Sequence, residues 1–182
     1  MKNKILKKAT LGGGCFWCTE AVYRELKGVT SVVSGYAGGF VANPTYKQVC
    51  SGETNHAEVI QIVYDEAEIS FVDLLKVFFA THDPTSLNRQ GEDVGTQYRS
   101  VVFYHDEEQY LLTKNLLTNF NEQNVFGKPV VTQLEAFDVF YPAENYHQDY
   151  AKNNPENEFC KAVVIPKREK FKMLFHTLLK QK

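Results

Sequence analysis

An α+β fold with a two-layer, ferredoxin-like (split β-α-β) core and added C-terminal elements is predicted by three features of the sequence. Alternating or β-branched runs at 7–11, 29–36, 56–64 and 100–104 are interleaved with helix-type patterns at 15–27 and 71–79, in the order β-α-β-β-α-β. Gly28, the pair Gly38-Gly39 and Pro44 fall where these runs stop. No repeat, low-complexity tract or linker interrupts the chain, so residues 1–182 are expected to form a single domain.

The first strand, 7–11, leads into Gly12-Gly13-Gly14 and a helix over 15–27, with Gly28 in the position of a C-terminal stop. Residues 29–36 are β-branched and alternating, which predicts a second strand. A loop is expected over 41–55. The run 56–64 is then a strand with Ala57, Val59, Gln61 and Val63 on one side and Glu58, Ile60, Ile62 and Tyr64 on the other. Ser70 is placed to cap a helix over 71–79, with Asp73 completing the box, and that helix stops before His82-Asp83-Pro84. The polar stretch 85–97 is long for a connection and is a candidate functional loop. A strand at 100–104, a helix over 107–121 capped by Asp106, and a strand over 130–139 that closes the sheet follow. Tyr141-Pro142 leads into a short helix at 145–151, and the β-branched run 159–165 predicts a strand before a terminal helix at 168–179.

Bulk composition narrows the function classes. With 182 residues, 43% hydrophobic and 13% aromatic, the chain has enough apolar material for a real core. A net charge of −2 gives no electrostatic case for nucleic acid or an anionic membrane, and the terminal lysines (Lys2, Lys4, Lys7, Lys8, Lys180, Lys182) are expected to be solvated. No window approaches a membrane span and residues 1–9 lack a signal-peptide core, so the cytoplasm is the expected compartment. A monomer is the expected state. Four cysteines in a chain of this size do not make a disulfide framework; they point to catalysis, redox exchange or metal. Cys15 and Cys18 have zinc-ligand spacing, but Cys50 and Cys160 supply no second pair and no histidine pair lies at ligand spacing near them. No metal and no cofactor are expected.

The strand-to-helix junction at Gly12-Gly13-Gly14-Cys15 is the strongest chemical signal. Free cysteine is often a buried hydrophobe, but a glycine-rich turn is a poor place to hide one. At a helix N-terminus, free N–H groups and the dipole favour thiolate over thiol, so Cys15 is read as reactive, with Phe16 and Trp17 forming an apolar recess beside it. Glu58 is either an edge-strand carboxylate facing water or, if its face is inward, an acid whose pKa rises enough to keep it protonated at neutral pH. Tyr46 and Tyr98 are either packing residues or phenol donors, and Asp93 is either a turn residue or a site carboxylate. Cys50 is expected to be a buried hydrophobe. On these residues alone, a thiol–disulfide oxidoreductase using Cys15 and Cys18 and a non-enzymatic redox sensor or peptide-binding module both stay open.

A wider set of motifs carries a resemblance. Gly14-Cys15-Phe16-Trp17, Gly35-Tyr36-Ala37-Gly38-Gly39, Asn43-Pro44-Thr45-Tyr46, His56-Ala57-Glu58, Asn88-Arg89-Gln90-Gly91, Gly95-Thr96-Gln97-Tyr98-Arg99-Ser100 and Ala143-Glu144-Asn145-Tyr146-His147-Gln148 occur in this order. Together they closely resemble the A-type peptide methionine sulfoxide reductases over residues 10–166. The resemblance implies that Cys15 is the nucleophile, that Phe16 and Trp17 hold the S-methyl group of the substrate, and that Glu58 protonates the sulfoxide oxygen. It implies that Tyr46 and Tyr98 hydrogen-bond that oxygen and that Asp93 contacts the substrate backbone. Tyr150 falls near the pocket by a looser match.

The chemistry implied is thiol-dependent reduction of methionine (S)-sulfoxide, free or in proteins, in repair of oxidised proteins. A second thiol would condense with the Cys15 sulfenic acid, and a thioredoxin-like reductant would recycle the disulfide. Cys18 and Cys160 are the candidates for the resolving thiol. The strand expected at 159–165 would hold Cys160 rigidly, which favours Cys18.

Overall fold

The computed structural model describes residues 4–181, so Lys2 and Lys182 lie outside the described residues. Eight strands are present among them: β1 (Leu6–Gly12), β2 (Val29–Ala37), β3 (Ala57–Asp65), β4 (Arg89–Gln90), β5 (Asp93–Val94), β6 (Val101–Tyr104), β7 (Gln133–Ala136) and β8 (Phe140–Pro142). Six of them form one sheet in the order β7-β6-β1-β3-β2-β8, and β4 and β5 pair separately. Within the sheet, β1–β3, β1–β6, β2–β3 and β2–β8 are antiparallel, whereas β6–β7 is parallel.

The alternation expected along β3 holds. Ile60, Ile62 and Tyr64 join Leu11, Val32, Tyr36, Leu74 and Phe78 in the main core, while Ala57 and Val59 pack with Val101 and Phe103 on the other face. A central strand buried on both sides leaves no water-facing edge for Glu58, which shares its face with Ile60 and Ile62 and is 1% exposed.

The helices are α1 (Phe16–Tyr23), α2 (Tyr46–Cys50), α3 (Phe71–Thr81), α4 (Glu107–Glu122), α5 (Tyr150–Asn153) and α6 (Ile165–Leu174). Ser70 caps α3, its Oγ accepting from the Asp73 N–H at 3.1 Å, and the Asp106 carboxylate caps α4 by accepting from the Gln109 N–H at 2.8 Å. Helix α1 stops four residues before the expected end. The backbone beyond it pairs instead with the C-terminal segment: the Lys27 N–H donates to the Leu178 carbonyl and the Lys180 N–H to that of Glu25, both at 2.8 Å.

Several expectations are corrected. Of the strand predicted over 130–139 only β7 forms, beside β6; the next strand, β8, lies just beyond it and pairs with β2 on the opposite edge. The chain leaves the sheet at Phe137, whose ring stacks on His105 at 4.1 Å. The loop over 41–55 contains α2, started by a capping box in which the Gln48 N–H donates to Thr45 Oγ1 and the Thr45 N–H to Gln48 Oε1. The loop 85–97 folds back on itself through the β4–β5 pair. The helix at 145–151 is a 3-10 turn (Asn145–His147) and α5, separated by Asp149 at φ 53. The terminal helix begins at Ile165 and ends at Leu174, before a 3-10 turn at His176–Leu178.

The strand predicted at 159–165 is helical, with a π-type segment at Cys160–Val164 running directly into α6. Burial explains the difference: Cys160, Val164 and Phe171 are buried at helical spacing while Lys161, Ala162 and Val163 are exposed. The Asn157 Oδ1 starts the turn by accepting from the N–H groups of Phe159 and Cys160 at 3.0 and 3.2 Å. No helix among the described residues is long and apolar enough to cross a membrane.

Candidate active site

Gly14 turns the chain out of β1 at φ +91, a conformation that glycine adopts freely, and places Cys15 as the N-cap of α1. Cys15 remains partly exposed. The helix N-terminus then distributes its free donors: the Phe16 N–H donates to Glu58 Oε2 at 3.1 Å, and the Trp17 N–H reaches the Cys15 sulfur. One helical turn thus binds the thiol and the carboxyl group into the same site.

The electrostatics of the thiol differ from the expectation. Its hydrogen bond to Cys18, burial and the Glu58 carboxylate push the Cys15 pKa well up, outweighing the Trp17 N–H that favours the thiolate. The Cys18 pKa moves down because the same hydrogen bond stabilises its charge, with Lys167 assisting while burial and Asp93 oppose. Both shifts favour the thiol form of Cys15, and the helix terminus alone does not make it a thiolate.

Glu58 is pushed up to about 8 by burial, with Asp93 and Cys18 adding to the shift and the Phe16 N–H opposing it. A carboxyl group in this state is mostly protonated at neutral pH and can donate a proton. Tyr98, at the end of the 3-10 turn Thr96–Tyr98, is half-buried, and burial followed by the charges of Glu58 and Asp93 raises its pKa. Tyr46 opens α2; burial first, then its hydrogen bond to Cys50, keeps its phenol protonated. Asp93, on β5, is half-buried and is raised by burial, with Lys167 opposing.

Phe16 is almost fully buried, its ring packing on Tyr36 at 5.8 Å and on His147 at 5.1 Å. Trp17 is the more open ring. It stacks flat on Tyr150 at 3.6 Å, meets Phe159 edge-on at 6.1 Å, and donates from Nε1 to His147 Nδ1 at 3.0 Å. Tyr150, the loosest of the expected residues, therefore supports Trp17 directly.

Cys18 and Cys160 are buried together with Ala151 and Val164, and Cys15, Trp17, Tyr150 and Phe159 pack against that cluster. The expected strand that would restrain Cys160 is absent; a helical turn presents it to Cys18 instead. Cys50, expected to be buried, is exposed at the end of the short α2, where its sulfur receives the Tyr46 hydrogen bond. Among the described residues, no group of three or more His, Cys, Asp or Glu side chains is placed to hold a metal ion.

Three supporting residues were not singled out by sequence. His147 is buried and accepts the Trp17 indole hydrogen bond, and burial lowers its pKa, so it is neutral. Glu144 accepts from the Tyr36 hydroxyl at 3.0 Å and from the Tyr46 N–H at 3.1 Å, which ties α2 to β2. Gln148 accepts from the Ser34 N–H and donates to the Ser34 carbonyl, both at 2.9 Å, locking this segment against the sheet. All three sit in the 143–148 motif, whose dense polar and aromatic make-up was the available signal.

Comparison with known proteins agrees with this geometry. The family model for peptide methionine sulfoxide reductase matches residues 7–178. The peptide methionine sulfoxide reductase MsrA of Saccharolobus solfataricus is 53% identical over 170 residues, covering 93% of this chain and 95% of that protein. Mxr1 from Saccharomyces cerevisiae in its reduced form aligns with a TM-score of 0.78 and 36% identity over 88% of this chain and 91% of its own. The same yeast protein solved in complex with Trx2 aligns at a TM-score of 0.55 and 26% identity, covering 83% of this chain and 88% of its own. With its mixed α+β architecture and this match over nearly its whole length, the chain belongs to the peptide methionine sulfoxide reductase family.

Proposed function

We propose that Cys15 and Glu58 act together on the sulfoxide of methionine (S)-sulfoxide, free or in proteins, in the repair of oxidised proteins. Glu58 passes its proton to the sulfoxide oxygen as the Cys15 sulfur bonds to the substrate sulfur, and the Cys15 proton returns to Glu58. The adduct collapses to methionine and a Cys15 sulfenic acid, so the carboxyl group begins and ends protonated. Tyr46 and Tyr98 hydrogen-bond the oxygen, Phe16 and Trp17 receive the S-methyl group, and Asp93 meets the substrate backbone. The observation that carries this reading is the 3.1 Å hydrogen bond from the Phe16 N–H to Glu58, which holds a protonated acid beside the nucleophile.

Cys18 then condenses with the sulfenic acid, releasing water, and Cys160 is the second candidate for that step. The hydrogen bond between Cys15 and Cys18 favours Cys18, since Cys160 packs on Cys18 and its pKa is raised by burial and by the Cys18 charge. A thioredoxin-like dithiol reduces the disulfide; the yeast relative solved with Trx2 supports that partner class. The four central strands, in the order β6-β1-β3-β2 and all antiparallel, support reading the core as a split β-α-β unit with two added edge strands in a single domain. A cytoplasmic monomer completes the proposal.

The test is turnover of a methionine sulfoxide peptide with dithiothreitol. The wild-type chain releases methionine, and Cys15→Ser releases none above background. Full turnover by Cys15→Ser would overturn the assignment.

A further inference from the structure

The π-type segment and α6 bury a continuous stripe: Cys160 and Val164 against Cys18, then Phe171 in the main core. Lys167 falls on that stripe, three residues after Val164 and four before Phe171, and is half-buried. Among the described residues it makes no ion pair with a carboxylate. It lines, with Cys18, Gly13, Thr19 and His82, a cavity of about 10 Å³, room for about one water molecule. A cation on this stripe, beside a buried thiol and without an ion-pair partner, favours a negative charge there.

We propose that Lys167 is a positioning residue for the resolving half of the reaction: its ammonium group, shared through this cavity, holds Cys18 as the thiolate that closes the disulfide. The proposal rests on Cys18 being the resolving thiol. In this step the Cys18 sulfur supplies the electron pair, the S–S bond to Cys15 forms, the S–O bond of the sulfenic acid breaks, and the departing hydroxide takes a proton to leave as water.

The groups around Cys18 agree. The hydrogen bond from Cys15 is the largest influence favouring its thiolate and Lys167 adds to it, while burial and Asp93, from β5, oppose. Glu58, from β3, is protonated at neutral pH, and Cys160 is a buried thiol raised further by the Cys18 charge. His82 lines the same cavity but cannot supply the charge. Burial depresses its pKa to about 4, and its ring nitrogens are engaged by the Phe78 carbonyl at 2.5 Å and Ser100 Oγ at 2.7 Å. That leaves Lys167 as the cation of the cavity. The π-type segment that precedes it sets the rotation of α6, a use such segments commonly have at functional sites.

The experiment follows a single turnover at a series of pH values, with one equivalent of methionine sulfoxide peptide and no reductant. Methionine release and sulfenic-acid loss, by dimedone trapping, are measured separately. Lys167→Met is expected to release methionine at the wild-type rate, which also shows that it is folded, but to close the disulfide about tenfold more slowly at pH 7. The pH midpoint of closure moves up correspondingly, and Lys167→Arg restores the wild-type profile. Closure in Lys167→Met at the wild-type rate across the pH series overturns the role of Lys167. Cys18→Ser tests the underlying reading separately: if it closes a Cys15–Cys160 disulfide as fast as the wild type closes its own, Cys18 is not the resolving thiol. If Cys18→Ser stalls at the sulfenic acid while Lys167→Met behaves as wild type, only the Lys167 proposal falls.

Discussion

The backbone N–H of Phe16 donates to the carboxyl group of Glu58 at 3.1 Å, joining the first residue of α1 to a strand position 42 residues further along the chain. The register that makes this possible places Glu58 opposite Tyr36 in the β2–β3 pair and Leu11 opposite Ile60 in the β1–β3 pair. β1 therefore delivers Cys15 over the same end of β3 that carries Glu58.

Burial sets the pH range of this site. Glu58 titrates near 8, so the acid form is lost as pH rises through that value, and kcat/KM with a sulfoxide substrate is expected to fall above about pH 8. Stability follows the same group. The folded state holds the Glu58 proton more tightly than the unfolded chain, whose glutamate titrates at about 4.3. The contribution of this proton is therefore complete below about pH 4 and is lost progressively as pH rises to about 8. Melting temperatures of wild type and Glu58→Gln across this range check the point: the wild type should lose ground relative to the variant as pH rises. Parallel curves would contradict it.

His147 holds the Trp17 indole, and His147→Phe keeps ring volume while deleting the acceptor. The expected result is a loss of about 1 kcal/mol of stability, at the low end for a lost hydrogen bond because Trp17 is only half-buried. KM for a peptide substrate should rise severalfold, with a smaller change in kcat. Steady-state kinetics and thermal melts measure both, and an unchanged KM would remove Trp17 orientation from the account.

Gly14→Ala tests the turn that presents Cys15. A Cβ there would meet Gln90 Cγ at 2.8 Å and Cβ at 2.9 Å at a φ of +91, and Gln90 is itself held by the Asp83 N–H at 3.0 Å. Strain of this kind costs on the order of 1–3 kcal/mol. The melting temperature should fall, and methionine release in a single turnover should slow because the sulfur is displaced. A variant indistinguishable from wild type would show that the turn is not constrained.

Asn157→Ala removes the side chain that starts the helical segment bearing Cys160. A lost N-cap costs about 1 kcal/mol, which thermal or urea unfolding resolves. No loss would mean that packing of Val164 and Phe171 alone determines this helix.

Much of the central sheet was legible because alternation and flanking glycines are local signals, and the caps Ser70 and Asp106 begin α3 and α4 as their side-chain chemistry requires. Cys15 and Glu58 were legible for a related reason: a glycine run opening a helix and a lone carboxylate in an apolar strand are both locally anomalous. The 159–165 segment misled because Val163, Val164 and Ile165 favour strands, while the competing cues, the Asn157 cap and the 160/164/171 spacing, extend beyond that window. The shortening of the 130–139 strand to β7, with β8 crossing to the opposite edge just beyond it, depends on the free edges of β6 and β2, which no window of that segment contains. The proton on Cys15 has the same origin. The helix terminus acts in the expected direction, but Cys18, burial and Glu58 exceed it.

The central claim is that Glu58 protonates the sulfoxide oxygen while Cys15 attacks. Its most direct test is the single-turnover rate of methionine release from a sulfoxide peptide in Glu58→Gln, measured beside thiol–disulfide exchange at Cys15 in the same variant. Release should fall by about a hundred- to ten-thousandfold, the scale of general acid catalysis, while disulfide exchange stays near the wild-type rate. Release within twofold of wild type across the pH range would contradict the account.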